Sequence, residues 1–327
     1  MCTAVSWKSG CHYFGRNLDL EYSYHEAVTI TPRNFPFHFQ ALPSMEHHYA
    51  MIGIATVAEG YPLYYDAVNE KGLCMAGLNF PGLAHYCKPI DRKDNVASFE
   101  LIPWILGQCA SVSEVEALLS RINITDTAFN DAFRPTPLHW IISDSDRSVT
   151  VEPMEDGLHI HENPLGVLTN NPPFDFHLYN LKNYMQVGAK QAENRFCQDY
   201  ELSPYSNGMG GIGLPGDFSS ASRFVRAAFV KLNSVLETTE ENAVSQFFHI
   251  LSSVAMPKGC VVMPDGRQEI TLYSSCCNAD LGIYYYTTYY NSRVCAVKLH
   301  QEALDGSQLA SYPLLHKPDF YQQNQAF

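Results

Sequence analysis

The 327-residue chain is 46% hydrophobic and 17% charged, the balance of a packed globular protein rather than a disordered one. Its 21 Lys plus Arg against 34 Asp plus Glu leave a formal charge of −13, which repels a phosphate backbone and sets nucleic acid aside as a partner. The opening residues lack a basic segment followed by an apolar core, and no apolar run approaches the ~18 residues of a membrane span, so a cytoplasmic protein with no membrane partner is expected.

Behind Met1 and Cys2, the residues Thr3, Val5 and Trp7 alternate against Ala4 and Ser6 with the period of a strand. A turn near residues 8–12 then sends the chain back through Gly15-Arg16-Asn17-Leu18-Asp19 as the second arm of a hairpin. Residues 21–48, rich in Tyr, His, Phe and Pro, read as a long loop holding a short strand at 28–31. An apolar strand follows at 49–57. Residues 61–68 and 73–78 form a hairpin around Asn69-Glu70-Lys71-Gly72 that delivers Asn79 at a strand end.

Residues 98–106 and 113–122 read as helices, the second with Ser113 and Glu116 as a capping box and Val115, Leu118, Leu119 and Ile122 on one face. A loop at 127–137 carries Phe129 and Phe133, and strands are expected at 138–143, 148–152 and 158–161. Another strand at 167–169 ends at Asn170-Asn171-Pro172-Pro173, where proline stops regular pairing, and a helix over 176–187 follows. The glycine-rich stretch after it has little periodicity; within 188–218 it is the candidate oligomerisation arm, since long unstructured insertions are usually functional or interfacial.

Two helices come next. The first, at 222–236, has Phe224, Ala228 and Leu232 on one stripe; the second, running to 254, is capped by Thr238-Thr239-Glu240-Glu241 with Val244, Phe247, Phe248 and Leu251 inward. Runs at 269–274, 282–290 and 293–300 make a β meander. Strand clusters at both ends with helices between them indicate an α+β protein with two layers of sheet, read as a single domain over 1–327.

The chemistry concentrates at Cys2. Removal of Met1 would put a thiol and a free α-amine on one residue, with unperturbed pKa values of about 8.5 and about 8, making a nucleophile with its own base attached. A guanidinium at Arg16 favours the thiolate, and a carboxylate at Asp19 holds the amine through a charge-assisted hydrogen bond.

Cys2-Thr3, Gly15-Arg16-Asn17-Leu18-Asp19, Gly77-Leu78-Asn79-Phe80, Leu168-Thr169-Asn170-Asn171-Pro172 and Ser222-Arg223-Phe224, in that order across nearly the whole chain, resemble the choloylglycine hydrolase family of N-terminal nucleophile hydrolases, which holds bile salt hydrolases and penicillin V acylases. The resemblance implies a four-layer αββα sandwich, a homotetramer, and hydrolysis of linear amides through a thioester on Cys2. It also implies an oxyanion hole at Asn79, a positioning role for Asn170, with Asn171 as the competing choice, and a place for Arg223 in the charged cluster, with Arg226 competing. In the family the position of Asn79 is typically Asn in bile salt hydrolases and Tyr in penicillin V acylases, which favours glycine- or taurine-conjugated bile salts as substrates. Penicillin V and N-acyl homoserine lactones are the alternatives. Leu18, Leu20, Tyr61, Phe129 and Phe133 are the candidates for contact with a steroid body, which needs an apolar wall.

Other chemistries find little support. The ten cysteines are irregularly spaced with no Cys-x-x-Cys, so they are expected to be reduced and mostly buried. No metal is expected, because nothing matches H-E-x-x-H. Gly208-Met209-Gly210-Gly211-Ile212-Gly213 fits G-x-G-x-x-G but follows no apolar strand and runs into Pro215, so no dinucleotide or other cofactor is expected. The rival outside catalysis is a ligand-binding protein of the same fold with an inert Cys2.

Overall fold

The alternating run behind Cys2 forms β1 (Cys2–Ser9), which turns at Gly10 into β2 (Cys11–Leu20) in this computed structural model, which describes residues 1–324. Gly10 has φ +72°, a left-handed conformation that costs a residue with a Cβ, so the tight reversal falls there. The ladder pairs Cys2 with Leu18 and Ala4 with Arg16.

Strands β3 (Ala27–Thr31), β4 (Met51–Ala58), β5 (Tyr61–Asn69) and β6 (Cys74–Asn79) follow, then β7 (Asp94–Ala97), helices α1 (Leu101–Leu106) and α2 (Val112–Leu119), and β8 (Ile122–Thr125). Strands β9 (Leu138–Ser143), β10 (Ser148–Met154), β11 (Gly157–Glu162) and β12 (Val167–Leu168) lead to α3 (Phe174–Asn180). After the long insertion come α4 (Ser220–Asn233), α5 (Glu240–Ser252), β13 (Ile270–Asn278), β14 (Ile283–Thr288), β15 (Cys295–Lys298) and β16 (Ala310–Pro313).

One sheet has six strands in the order β12-β1-β2-β13-β14-β15, and a second has eight in the order β11-β10-β9-β6-β5-β4-β3-β16. Between them Ala4, Leu18, Ile52, Ile54, Ala76, Leu78 and Ile141 are buried in one apolar cluster, which continues through the six-stranded sheet to Phe224, Phe247 and Leu251 of α4 and α5. On the far face of the eight-stranded sheet, Met75, Ile142 and Val151 pack against Trp104, Ile105, Val115 and Leu119 of α1 and α2. The layers are therefore helix, sheet, sheet, helix, the αββα sandwich. Gly15 lets β2 approach β13 closely: a Cβ there would sit 1.9 Å from the Ser275 carbonyl oxygen.

Several local expectations shift. The α2 cap is Ser111, which accepts from the Glu114 amide, while Glu114 bonds back to the Ala110 amide. Ser111-x-x-Glu114 and Ser113-x-x-Glu116 are the same pattern two residues apart, and Glu116 is taken by Arg147 instead. Residue 122, read as the last residue of that helix, instead opens β8, which pairs with β7. Helix α3 stops at Asn180, and Leu232, expected on the buried stripe of α4, is 60% exposed in the last turn. Residues 188–218 hold only one short 3₁₀ turn at Met209–Gly211 and leave Phe196 and Tyr205 almost fully exposed. Among the described residues no helix is long and apolar enough to cross a membrane.

Candidate active site

Period-2 alternation along β2 decides where its charges go. Cys2 faces Leu18 across the ladder, so Arg16, Leu18 and Leu20 share the face of the Cys2 side chain and Asp19 projects from the other face. On the thiol side Arg16 is fully buried and crosses to the second sheet, donating through Nη1 to the carbonyls of Tyr65 at 2.9 Å and Gly77 at 2.6 Å. Burial works against its charge, yet Cys2, by charge and hydrogen bond, together with Tyr273 and Asp66, raises its pKa above the ordinary guanidinium value.

On the helix side Asp19 Oδ1 accepts from Thr271 Oγ1 at 2.5 Å, while Oδ2 accepts no hydrogen bond and lies 3.9 Å from Arg223 Nη1. Burial pushes the Asp19 carboxyl up, and Arg223, the chain's amino group, Thr271 and Arg16 offset only part of that rise. The amino group of Met1 donates to the Asp19 carbonyl at 2.7 Å and pairs with Glu269. Burial lowers the pKa of that amine.

Asn170 joins the pieces. The pairing of Ala4 with Leu168 and Val5 with Val167, continued by two residues, sets Asn170 opposite Cys2. Its Oδ1 accepts from the Cys2 nitrogen at 2.8 Å and from Arg223 Nη2 at 2.7 Å, and its Nδ2 donates to the Asn79 carbonyl at 2.7 Å. Three different donors and acceptors thus fix which way the amide points. Asn171 instead donates to the Pro81 carbonyl at 2.8 Å.

Arg223 stands fully buried in the first turn of α4, which Ser219 caps by accepting from the Ser222 amide, and its Nε donates to the Phe218 carbonyl at 3.0 Å. Besides Asn170, its Nη1 donates to Thr3 Oγ1 at 2.7 Å and to the Cys2 carbonyl. Burial lowers its pKa, with Asp19 and Cys2 opposing. Arg226 points away, to the carbonyls of Ser253, Pro215 and Asp217. Asn79 ends β6 with its amide oxygen buried and without a partner.

Of the apolar candidates, Leu18 is buried beside Cys2 and Leu20 is half-buried further along the same face. Tyr61, Phe129 and Phe133 form a separate aromatic group, with ring centroids 5.7 Å apart for Tyr61 and Phe129 and 6.3 Å for Phe129 and Phe133. Phe99, Phe37 and Tyr24 extend it. Burial drives the Tyr61 hydroxyl far up in pKa, and that hydroxyl has no partner. Sequence reasoning missed Thr271, His139 and Ser220, whose Oγ accepts from the Asn170 amide at 2.8 Å, all from distant segments, and His177, seven residues beyond Asn170; no local pattern marks any of them. Among the described residues no group of three His, Cys, Asp or Glu is placed to hold a metal ion.

The family described as linear amide C–N hydrolases, choloylglycine hydrolase family, matches residues 2–312. The chain belongs to the choloylglycine hydrolase family. It is accordingly an amide hydrolase acting on the C–N bond of linear amides. It is 52% identical over 324 residues to the bile salt hydrolase/transferase of Lactiplantibacillus plantarum, covering 99% of this chain and 100% of that protein. With the bile salt hydrolase/transferase of Clostridium perfringens the identity is 38% over 317 residues, covering 95% and 96%. A solved variant of the conjugated bile acid hydrolase of Clostridium perfringens superposes with a TM-score of 0.92 at 36% identity, covering 99% of this chain and 100% of that one. Penicillin V acylase of Agrobacterium tumefaciens has the same fold, with a TM-score of 0.76 at 20% identity over 95% and 90% of the two chains.

Proposed function

We propose that this choloylglycine hydrolase cleaves the amide of glycine- or taurine-conjugated bile salts with Cys2 as nucleophile, once Met1 has been removed. The observation that carries the reading is the Cys2 nitrogen: Asn170 Oδ1 holds it at 2.8 Å, and the neighbouring buried Asp19 keeps Oδ2 free of any hydrogen bond. While Met1 is attached that nitrogen is an amide and cannot act as a base. Freed, it becomes an amine that Asn170 and Asp19 orient.

The amine takes the thiol proton as sulfur attacks the amide carbonyl carbon, forming the C–S bond. The C–N bond then breaks, and the same proton passes to the leaving nitrogen of glycine or taurine. Water adds to the thioester carbonyl, giving its proton to the amine; as the C–S bond breaks the amine returns that proton to the departing sulfur, and the bile acid leaves. Arg16 stabilises the thiolate, and Arg223 stabilises the cluster formed by Asn170, the Cys2 carbonyl and Asp19. The Asn79 side chain, aided by backbone amides, receives the oxyanion. Leu18, Leu20, Tyr61, Phe129 and Phe133 supply the apolar wall.

The bile salt preference is supported by the names of the relatives and by Asn rather than Tyr at position 79. The protein works as a single domain that assembles into a homotetramer through residues 188–218, and its ten free thiols suit a reducing cytoplasm. The test combines intact mass with kcat/KM for glycocholate and penicillin V on the wild type and on Cys2→Ala. Expected are loss of Met1, a glycocholate excess, and turnover abolished in the variant. A penicillin V excess would move the substrate class to the alternative, and an active Cys2→Ala protein would end the cysteine mechanism.

A further inference from the structure

The mechanism above uses no histidine, yet two fully buried histidines converge on the segment that carries Asn170. His139, on β9 of the eight-stranded sheet, places Nε2 2.9 Å from the Thr169 carbonyl oxygen. His177, on α3, places Nε2 2.8 Å from the Asn170 carbonyl oxygen. These two carbonyls lie just past the end of β12, buried, and a buried carbonyl without a donor is costly. We propose that His139 and His177 are a two-point clamp on the Thr169 and Asn170 backbone, positioning residues that set the Asn170 amide against the Cys2 nitrogen. This rests on the role assigned to Asn170 in the proposed function.

A carbonyl oxygen only accepts, so Nε2 carries the hydrogen in both rings. The ring planes are fixed as well: Phe80 stacks on His139 at 4.3 Å and 6°, and Phe224 stacks on His177 at 4.7 Å and 20°. His139 Nδ1 lies 3.0 Å from Glu152 Oε1. The Glu152 carboxylate also accepts from the Phe174 amide at 3.1 Å and 3.2 Å, four residues beyond Asn170. His177 Nδ1 has no partner, and burial lowers that ring to about 4, which leaves it neutral with its hydrogen on Nε2 at working pH. The segment 169–174 is therefore gripped by a strand of the other sheet, by a helix and by a buried carboxylate. Such rigidity suits a side chain whose displacement by about 1 Å is expected to cost on the order of 10² in rate.

The test is a substitution series in which only the donor moves. In His177→Gln the side-chain amide nitrogen reaches the position of Nε2; in His177→Asn it stops near Nδ1; His177→Leu and His139→Leu remove the donor. Expected with glycocholate are a kcat at least tenfold lower for the two Leu variants and for His177→Asn, with KM within threefold of wild type. His177→Gln recovers kcat to within threefold. Where a Leu variant does not fold, the comparison of Gln with Asn decides. Equal kcat in those two, or a folded Leu variant within twofold of wild type, overturns the clamp. If the wild type does not turn over glycocholate, the failure belongs to the proposed function. Hydrogen exchange over residues 169–174 then reads the clamp alone: faster exchange in the Asn than in the Gln variant supports it, and equal exchange overturns it.

Discussion

Cys2 and Leu18 face each other across the first hairpin, and this one pairing sends Arg16 to the thiol's side of the sheet and Asp19 to the opposite side. The separation suits the proposed double role of Cys2 as nucleophile and base. Its sulfur projects from one face, toward the cation, while its nitrogen donates to Asn170 Oδ1 at 2.8 Å and the Asp19 carboxylate lies on the other face. With both charges on one face they would neutralise each other and act on neither atom.

Arg16→Leu should therefore slow alkylation of Cys2 by iodoacetamide at pH 7 by about tenfold or more, because the buried guanidinium beside the thiol attracts the negative charge carried by the attacking sulfur. Asp19→Asn, on the far face, should leave that rate within about threefold while still reducing turnover. Rates followed by mass spectrometry distinguish the two. Equal effects would mean that the sheet does not separate the charges.

The hairpin and its alternation are legible in the sequence, and so is the spacing of Arg16 and Asp19; their opposite faces follow once the register against Cys2 is known. Asn79 and Asn170 are legible as strand ends, since proline and glycine follow them. What unites them is not, because Asn170 meets Cys2 across 168 positions and Arg223 meets it across 53. Periodicity indicates two sheet layers, and the family resemblance was needed to expect four layers. The misplaced α2 cap and the exposed Leu232 have a common cause: a local pattern admits two registers or runs one turn too far, and tertiary contacts choose.

Acid sensitivity should come from the far end of the same hairpin. His12 Nε2 lies 2.9 Å from Ser6 Oγ and 3.2 Å from Ser143 Oγ, and burial lowers the ring to about 4. The unfolded chain binds this proton near pH 6.5 and the native chain only near 4, so stability falls as pH drops through that window. The full loss is about 3 kcal/mol for one such histidine. Urea unfolding at pH 7 and at pH 4.5 should show the loss in the wild type and a smaller one in His12→Gln. An unchanged slope in that variant would remove His12 as a source.

The insertion at 188–218 exposes Phe196 by 89% and Tyr205 by 85%, more apolar surface than a free monomer usually leaves in one segment. The Phe196→Ser, Tyr205→Ser double variant should sediment as a smaller species than the proposed wild-type homotetramer at micromolar concentration, with thermal stability little changed at the level of the fold. A wild type that sediments as a monomer would refute the assembly outright.

Asn79 gives the sharpest test of the chemistry. Its carbonyl accepts from Asn170, and among the described residues its side-chain amide forms no hydrogen bond, so the side chain contributes little to folding and its Nδ2 donor is free to serve a reacting oxygen. Asn79→Ala should lower kcat for glycocholate by about 10² to 10³ with KM nearly unchanged, the loss typical of one oxyanion donor. Asn79→Asp should lose at least as much, since a carboxylate repels the developing charge. A rise in KM at constant kcat would instead mean that Asn79 binds the ground-state substrate and that backbone amides alone hold the oxyanion.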